Sequence, residues 1–99
     1  MARQYQTPFL QIIYNNRGWK APKYSTLAVH PRGYASRADD LDTSFDPPPD
    51  YSAIAAAAGG AFARIVRSTN EVNPSIAEGL RVVNEEKRCA VLDVWLEHL

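Results

Sequence analysis

Three short, β-rich apolar runs alternate with helix-forming segments: Phe9 to Tyr14, Phe62 to Arg67 and Cys89 to Leu96. Strand, long loop with helix, strand, helix, strand is the order of a parallel sheet joined by right-handed crossovers. The first run is apolar on both faces apart from Gln11, the pattern of a buried parallel strand. The second alternates in part, and the third is strongly apolar from Cys89 to Leu96. The chain therefore reads as α/β, with residues 1–99 forming one domain at most.

The connecting segments carry their own signals. A short helix is predicted to start near Pro22 within residues 19–29. His30 to Asp50 looks irregular, a loop of about 20 residues, and loops of that size often serve as lids or binding segments. Asp50 follows Pro47-Pro48-Pro49 and should cap a helix from Tyr51 to Ala58, which Gly59-Gly60 then ends. Asn73-Pro74 reads as an N-cap with proline in the first helical position. The helix it opens runs to about Lys87, with Val72, Ile76, Leu80 and Val83 as one apolar stripe.

Composition excludes several function classes. Lys plus Arg equals Asp plus Glu at 11 each, with no basic concentration, so no footprint for nucleic acid is present. The longest apolar run is far short of a membrane span, and Met1 to Gln6 is too polar for a secretory signal. The single cysteine, Cys89, rules out an internal disulfide and suits a reducing compartment. An intracellular, cytoplasmic protein is expected, with a mitochondrial location left open. No Cys or Asp stands at zinc-ligand spacing from His30 or His98. Asp39, Asp40, Asp42, Asp46 and Asp50 lack the glycine and terminal glutamate of a calcium loop and read as a solvated loop. Cys89 is read as a small core residue, Ser25 and Ser36 show no nucleophile context, and Glu78, Glu85 and Glu86 belong to a solvated helix face.

The first strand stops at Asn15-Asn16-Arg17-Gly18-Trp19. In a parallel sheet the carboxyl end of a strand is where loops diverge and ligands bind. Amide and carbonyl oxygens there can ligate a hard cation without adding negative charge, which suits magnesium already bound to a diphosphate. Asn15, Asn16 and Gly18 are thus candidate site residues. Asn and Gly also tolerate left-handed turns, so on those residues alone a plain turn after a strand is the better account of Asn15, Asn16 and Gly18, and Trp19 alone reads as a packing residue.

The run Phe9-Leu10-Gln11-Ile12-Ile13-Tyr14-Asn15-Asn16-Arg17-Gly18-Trp19 resembles the second half of the thiamine-diphosphate motif, which opens with Gly-Asp-Gly and closes with an apolar strand and Asn-Asn. Trp19-Lys20-Ala21-Pro22, the loop ending in Pro47-Pro48-Pro49-Asp50-Tyr51, the Ala-Gly-Gly helix end and the strand Ala90 to Leu96 follow in the order of the C-terminal domain of acetolactate-synthase-like and benzoylformate-decarboxylase-like enzymes. The resemblance implies part of a three-layer, parallel-sheet thiamine-diphosphate-binding domain with about three strands. It implies thiamine diphosphate and Mg as cofactors, with Asn16 giving a side-chain oxygen and Gly18 a backbone carbonyl to the metal. It further implies that Asn15 shapes the turn and Trp19 lies at the mouth of the cofactor site. The cofactor carries the carbon chemistry on a 2-oxo acid, decarboxylation or carboligation, and the protein supplies position and electrostatics.

The chain departs from the family pattern in lacking the Gly-Asp-Gly half, whose aspartate would be the anionic metal ligand. The activating glutamate belongs to a separate pyrimidine-binding domain in that family. The expectation is a truncated C-terminal part of a lyase or transferase whose parent is a homo-oligomer, with no catalytic residue of its own. Magnesium takes about six oxygens, so two neutral ligands alone should give no useful affinity. The alternative is a non-catalytic α/β interaction module that pairs through an exposed sheet edge. A nucleotide-binding protein is disfavoured because no Gly-rich phosphate loop is present.

Overall fold

The computed structural model describes residues 1–38 and 41–97. Asp39, Asp40 and His98, read above as solvated loop and terminal residues, lie outside them. The chain divides into two compact units, Met1–Asn15 with Asp50–Leu96, and Asn16–Pro49 together with the C-terminal end.

The first unit contains a short helix α1 (Ala2–Tyr5), strand β1 (Leu10–Asn15), helix α3 (Tyr51–Gly59), strand β2 (Phe62–Val66), helix α4 (Thr69–Arg81) and strand β3 (Ala90–Trp95); α2 (Lys20–Val29) belongs to the second unit. The strands form one parallel sheet in the order β1-β3-β2, as the alternation predicted. Leu10 and Phe62 both face Ala90 in register, and Ile13 and Ile65 both face Asp93. The central strand holds the core: Ala90, Val91, Leu92 and Asp93 are buried, joined by Val66 and Val82. The first strand begins and ends one residue later than expected and lies at an edge of the sheet, so Tyr14 is exposed rather than buried.

Helices cover both faces. Gly79 of α4 lies against Leu10 and Ala90, where an added Cβ would stand 2.9 Å from Leu10 Cδ1 and 3.5 Å from Ala90 Cβ. Helix α3 packs on β2 and β3, and its Ala55 and Ala58 share a cavity with Val91. Ala90 and Val91 are successive strand residues and so face opposite ways. The first unit therefore has three layers.

Asp50 caps α3 as its position predicts: its Oδ1 accepts from Ala53 N at 2.9 Å and from the Ser52 hydroxyl at 2.6 Å. Those two donors hold the Asp50 carboxyl below its ordinary range, the Ser52 hydroxyl contributing most. Gly60, at φ 70°, closes the helix in the left-handed conformation, its N–H on Ala56 O.

Helix α4 corrects two expectations. It starts at Thr69, ahead of Asn73-Pro74, with Ser68 as an extended N-cap whose carbonyl accepts from Glu71 N at 3.1 Å. Glu71 reaches back from the first turn, its Oε2 accepting from Arg67 N at 3.1 Å. Pro74 sits inside the helix and leaves the Asn70 carbonyl without its helical donor. The buried stripe is also rotated from the expected one: Ser75, Gly79 and Val82 face inward, while Leu80 is 46% exposed. Small residues let the helix approach the sheet more closely than leucine would.

After Arg81 the helix continues as a π turn, Val82–Glu86, and ends at Lys87 with φ 52°. Arg81 gathers Glu78 at 2.7 Å, Glu86 at 2.8 Å and Glu85 at 3.3 Å on the solvated face expected of those glutamates. Cys89 is half-buried in the approach to β3 and is not a core residue. It lines a cavity of about 650 Å³ at the amino ends of the strands, with Phe9 and Ala61.

In the second unit, helix α2 (Lys20–Val29) is longer than the short helix expected; Pro22 falls in its first turn, where no intrahelical N–H is needed. The loop beyond is not wholly irregular: it contains a 3-10 turn, Tyr34–Arg37, and an antiparallel bridge between Ser44 and Gly18. No helix among the described residues is long and apolar enough to cross a membrane.

Candidate functional site

Strand β1 carries the chain to Asn15, its last residue, at the carboxyl end of the sheet where the loops of a parallel sheet diverge. Asn15 O accepts from Leu96 N at 2.9 Å. Its side-chain Nδ2 donates to Asp93 Oδ1 at 3.0 Å, and the two residues are 4% and 0% exposed. Asp93 stands between Ile13 and Ile65 in an otherwise apolar row. Its second oxygen, Oδ2, has no hydrogen-bond partner among the described residues. A polar group so enclosed is costly unless bonded, so the Asn15 amide is its principal support.

The second unit begins at Asn16 and holds the rest of the candidate residues. Arg17 is left-handed at φ 57°, which turns the chain, and Asn16 Oδ1 accepts from Gly18 N at 3.3 Å. An asparagine bonded to the backbone two residues on is a standard side-chain-stabilised turn. Gly18 then pairs with Ser44. The bonds that make this bridge are Trp19 N to Thr43 O at 2.6 Å and Phe45 N to Arg17 O at 2.8 Å. They flank Gly18 without using its own groups, which is the non-hydrogen-bonded antiparallel pair. In that pairing the N–H and C=O of Gly18 both point away from Ser44. The N–H meets the Asn16 carboxamide, so the Gly18 carbonyl leaves the backbone on the side that Asn16 occupies.

Only glycine fits this approach. A Cβ on residue 18 would lie 2.6 Å from the Thr43 carbonyl oxygen and 3.3 Å from Ser44 Cα. Trp19 is 61% exposed, and its ring meets Phe45 edge-on, centroids 5.5 Å apart at 84°. The described residues contain no group of three or more His, Cys, Asp or Glu able to hold a metal ion. His30 is exposed, and Ser36 donates its hydroxyl to Gly33 O at 2.7 Å.

The Asn16–Gly18 turn thus offers neutral oxygens on one side of a backbone held by a neighbouring segment. Such a donor set fits a hard cation whose charge is balanced by phosphate, and fits it as part of a coordination shell rather than the whole. A family model described as thiamine pyrophosphate enzyme, C-terminal TPP binding domain, matches residues 1–94. The chain belongs to that family. No curated protein and no solved structure gave a match.

Within this C-terminal TPP-binding domain, Asn16, Gly18 and Trp19 fall together in one turn, and Asn15 ends the strand before it with its side chain bonded to Asp93. Asp93 and the segment Thr43–Phe45 escaped the reading of the sequence. A lone acid inside the apolar strand Ala90–Trp95 was the available sign of the first. The sign of the second was weaker, a Thr-Ser-Phe triplet between the acidic stretch and Pro47-Pro48-Pro49.

Proposed function

We propose that this TPP-binding domain supplies the neutral part of a magnesium–thiamine diphosphate site in an acetolactate-synthase-like enzyme acting on 2-oxo acids. The observation that carries the reading is that Gly18 pairs with Ser44 without using its own backbone groups, while its N–H meets Asn16 Oδ1 at 3.3 Å. Asn16 and Gly18 would hold the metal, Asn15 would brace the strand end through Asp93, and Trp19 would flank the cofactor. When bound, thiamine diphosphate supplies the nucleophilic carbon and electron sink for decarboxylation or carboligation next to a carbonyl. The residues named here bind and orient. A cytoplasmic, homo-oligomeric parent enzyme is part of the same reading.

Two neutral ligands do not replace several waters on magnesium, so these 99 residues by themselves are inactive and bind weakly. Titration calorimetry with magnesium and thiamine diphosphate together, and with each alone, is the test. No heat in the micromolar range is expected. A micromolar dissociation constant would mean that the chain holds a complete site.

A further inference from the structure

Resting on the cofactor reading above, we infer that the segment Thr43–Phe45 is a positioning strap that aims the Gly18 carbonyl at the metal. The peptide on either side of Gly18 is held by that segment, through Trp19 N on Thr43 O at 2.6 Å and Phe45 N on Arg17 O at 2.8 Å. Because both bonds skip Gly18, they fix the plane in which its carbonyl points while leaving the oxygen itself to a ligand.

Three further features act in the same sense. Thr43 is 6% exposed, so its carbonyl is a defined acceptor rather than a solvent-averaged one. Phe45 sets its ring against the Trp19 edge, which tethers the residue after the turn. The absence of a side chain at residue 18 lets the strap approach until a Cβ would be 2.6 Å from Thr43 O. A backbone ligand has no rotamer to adjust, so its direction must be set by what holds the flanking peptides. Asn16 can reorient its carboxamide; Gly18 can reorient only if the strap lets go. Thr43, Ser44 and Phe45 touch neither cofactor nor substrate in this account. They act through Gly18.

Strap closure and metal binding should then stabilise one another by the same factor. Amide hydrogen exchange at Trp19 and Phe45 in the full chain reads this without any substitution. With MgCl2 and thiamine diphosphate at ten times their dissociation constant, exchange at those two amides should slow about elevenfold if only the closed strap binds. Paramagnetic broadening by Mn²⁺ with thiamine diphosphate, read at the Asn16 side-chain amide, gives the second measurement. Phe45→Leu keeps the N–H donor and loses only the ring contact with Trp19, and should raise the half-broadening concentration less than Phe45→Pro does. Phe45→Pro removes the donor and should raise it about fivefold, the usual weight of one hydrogen bond.

Broadening at Asn16 with unaltered exchange at Trp19 and Phe45 would overturn the strap and leave the cofactor site standing. Equal broadening in Phe45→Pro and Phe45→Leu would do the same. No broadening at Asn16 in the unsubstituted chain would instead overturn the cofactor reading itself. Should Phe45→Pro fail to fold, the exchange measurement on the unsubstituted chain decides alone.

Discussion

Replacing Gly18 by alanine sets a single methyl group against a backbone oxygen. The added Cβ would lie 2.6 Å from Thr43 O and 3.3 Å from Ser44 Cα, and neither atom can move away without its chain moving. Opening that contact lengthens Trp19 N to Thr43 O, now 2.6 Å, and with it Phe45 N to Arg17 O, now 2.8 Å. Two backbone hydrogen bonds at about 0.5–1.5 kcal/mol each put the loss at about 1–3 kcal/mol. Alanine restricts the unfolded chain and offsets about 0.4–1 kcal/mol of this. A net local cost near 1.4 kcal/mol corresponds to about a tenfold change in the opening equilibrium. Amide hydrogen exchange should therefore show Trp19 and Phe45 exchanging about tenfold faster in Gly18→Ala, with Leu92 and Asp93 of the sheet unchanged. Unchanged protection at Trp19 and Phe45 would refute the close-approach reasoning. So would a loss of protection spread evenly over β3.

Asp93→Ala should remove the buried Asn15–Asp93 hydrogen bond and cost about 1–3 kcal/mol in urea unfolding, whereas Asp93→Asn, which keeps an acceptor, should cost less. The Asp50 carboxyl is held low by Ser52 and Ala53, so the cap's stabilising effect is present above the ordinary carboxylate value of 3.8 and is lost as pH falls through the lower folded value. The Ala53 amide resonance should follow that loss on acidification, and Asp50→Ala should abolish the pH dependence. The β1 edge carries no charge from Leu10 to Asn15, while β2 carries exposed Arg64. Concentration-dependent association is expected in analytical ultracentrifugation and should diminish in Gln11→Lys, since a charge on an edge strand opposes pairing.

Much of the first unit could be read from local chemistry. Asp50 after three prolines, Gly60 after the alanines, and apolar runs separated by helices each encode a feature that short-range physics decides. Asn73-Pro74 reads locally as a helix start, but the helix begins at Thr69, where Glu71 bonds back to Arg67 N, and absorbs the proline. The inward face of α4 departs from the apolar stripe for a different reason. Apolar periodicity picks out Leu80, whereas close packing on the sheet selects Ser75 and Gly79. At the candidate site, Asn15, Asn16, Gly18 and Trp19 stood out because amides and glycine interrupt an apolar strand. Their supports did not. Thr43–Phe45 meets Gly18 only through backbone groups, which any sequence possesses, and Asp93 meets Asn15 across strands whose pairing a sequence does not print.

The central claim is that Asn16 and Gly18 take the metal of a magnesium–thiamine diphosphate pair. Its most direct test is the ¹⁵N spectrum of the full chain, titrated to millimolar cofactor. Shifts at the Asn16 side-chain amide and at Gly18 that require magnesium and thiamine diphosphate together, and that vanish in Asn16→Ala, are the predicted result. Shifts that persist in Asn16→Ala, or that centre on the Phe9, Ala61 and Cys89 cavity at the amino ends of the strands, would contradict it.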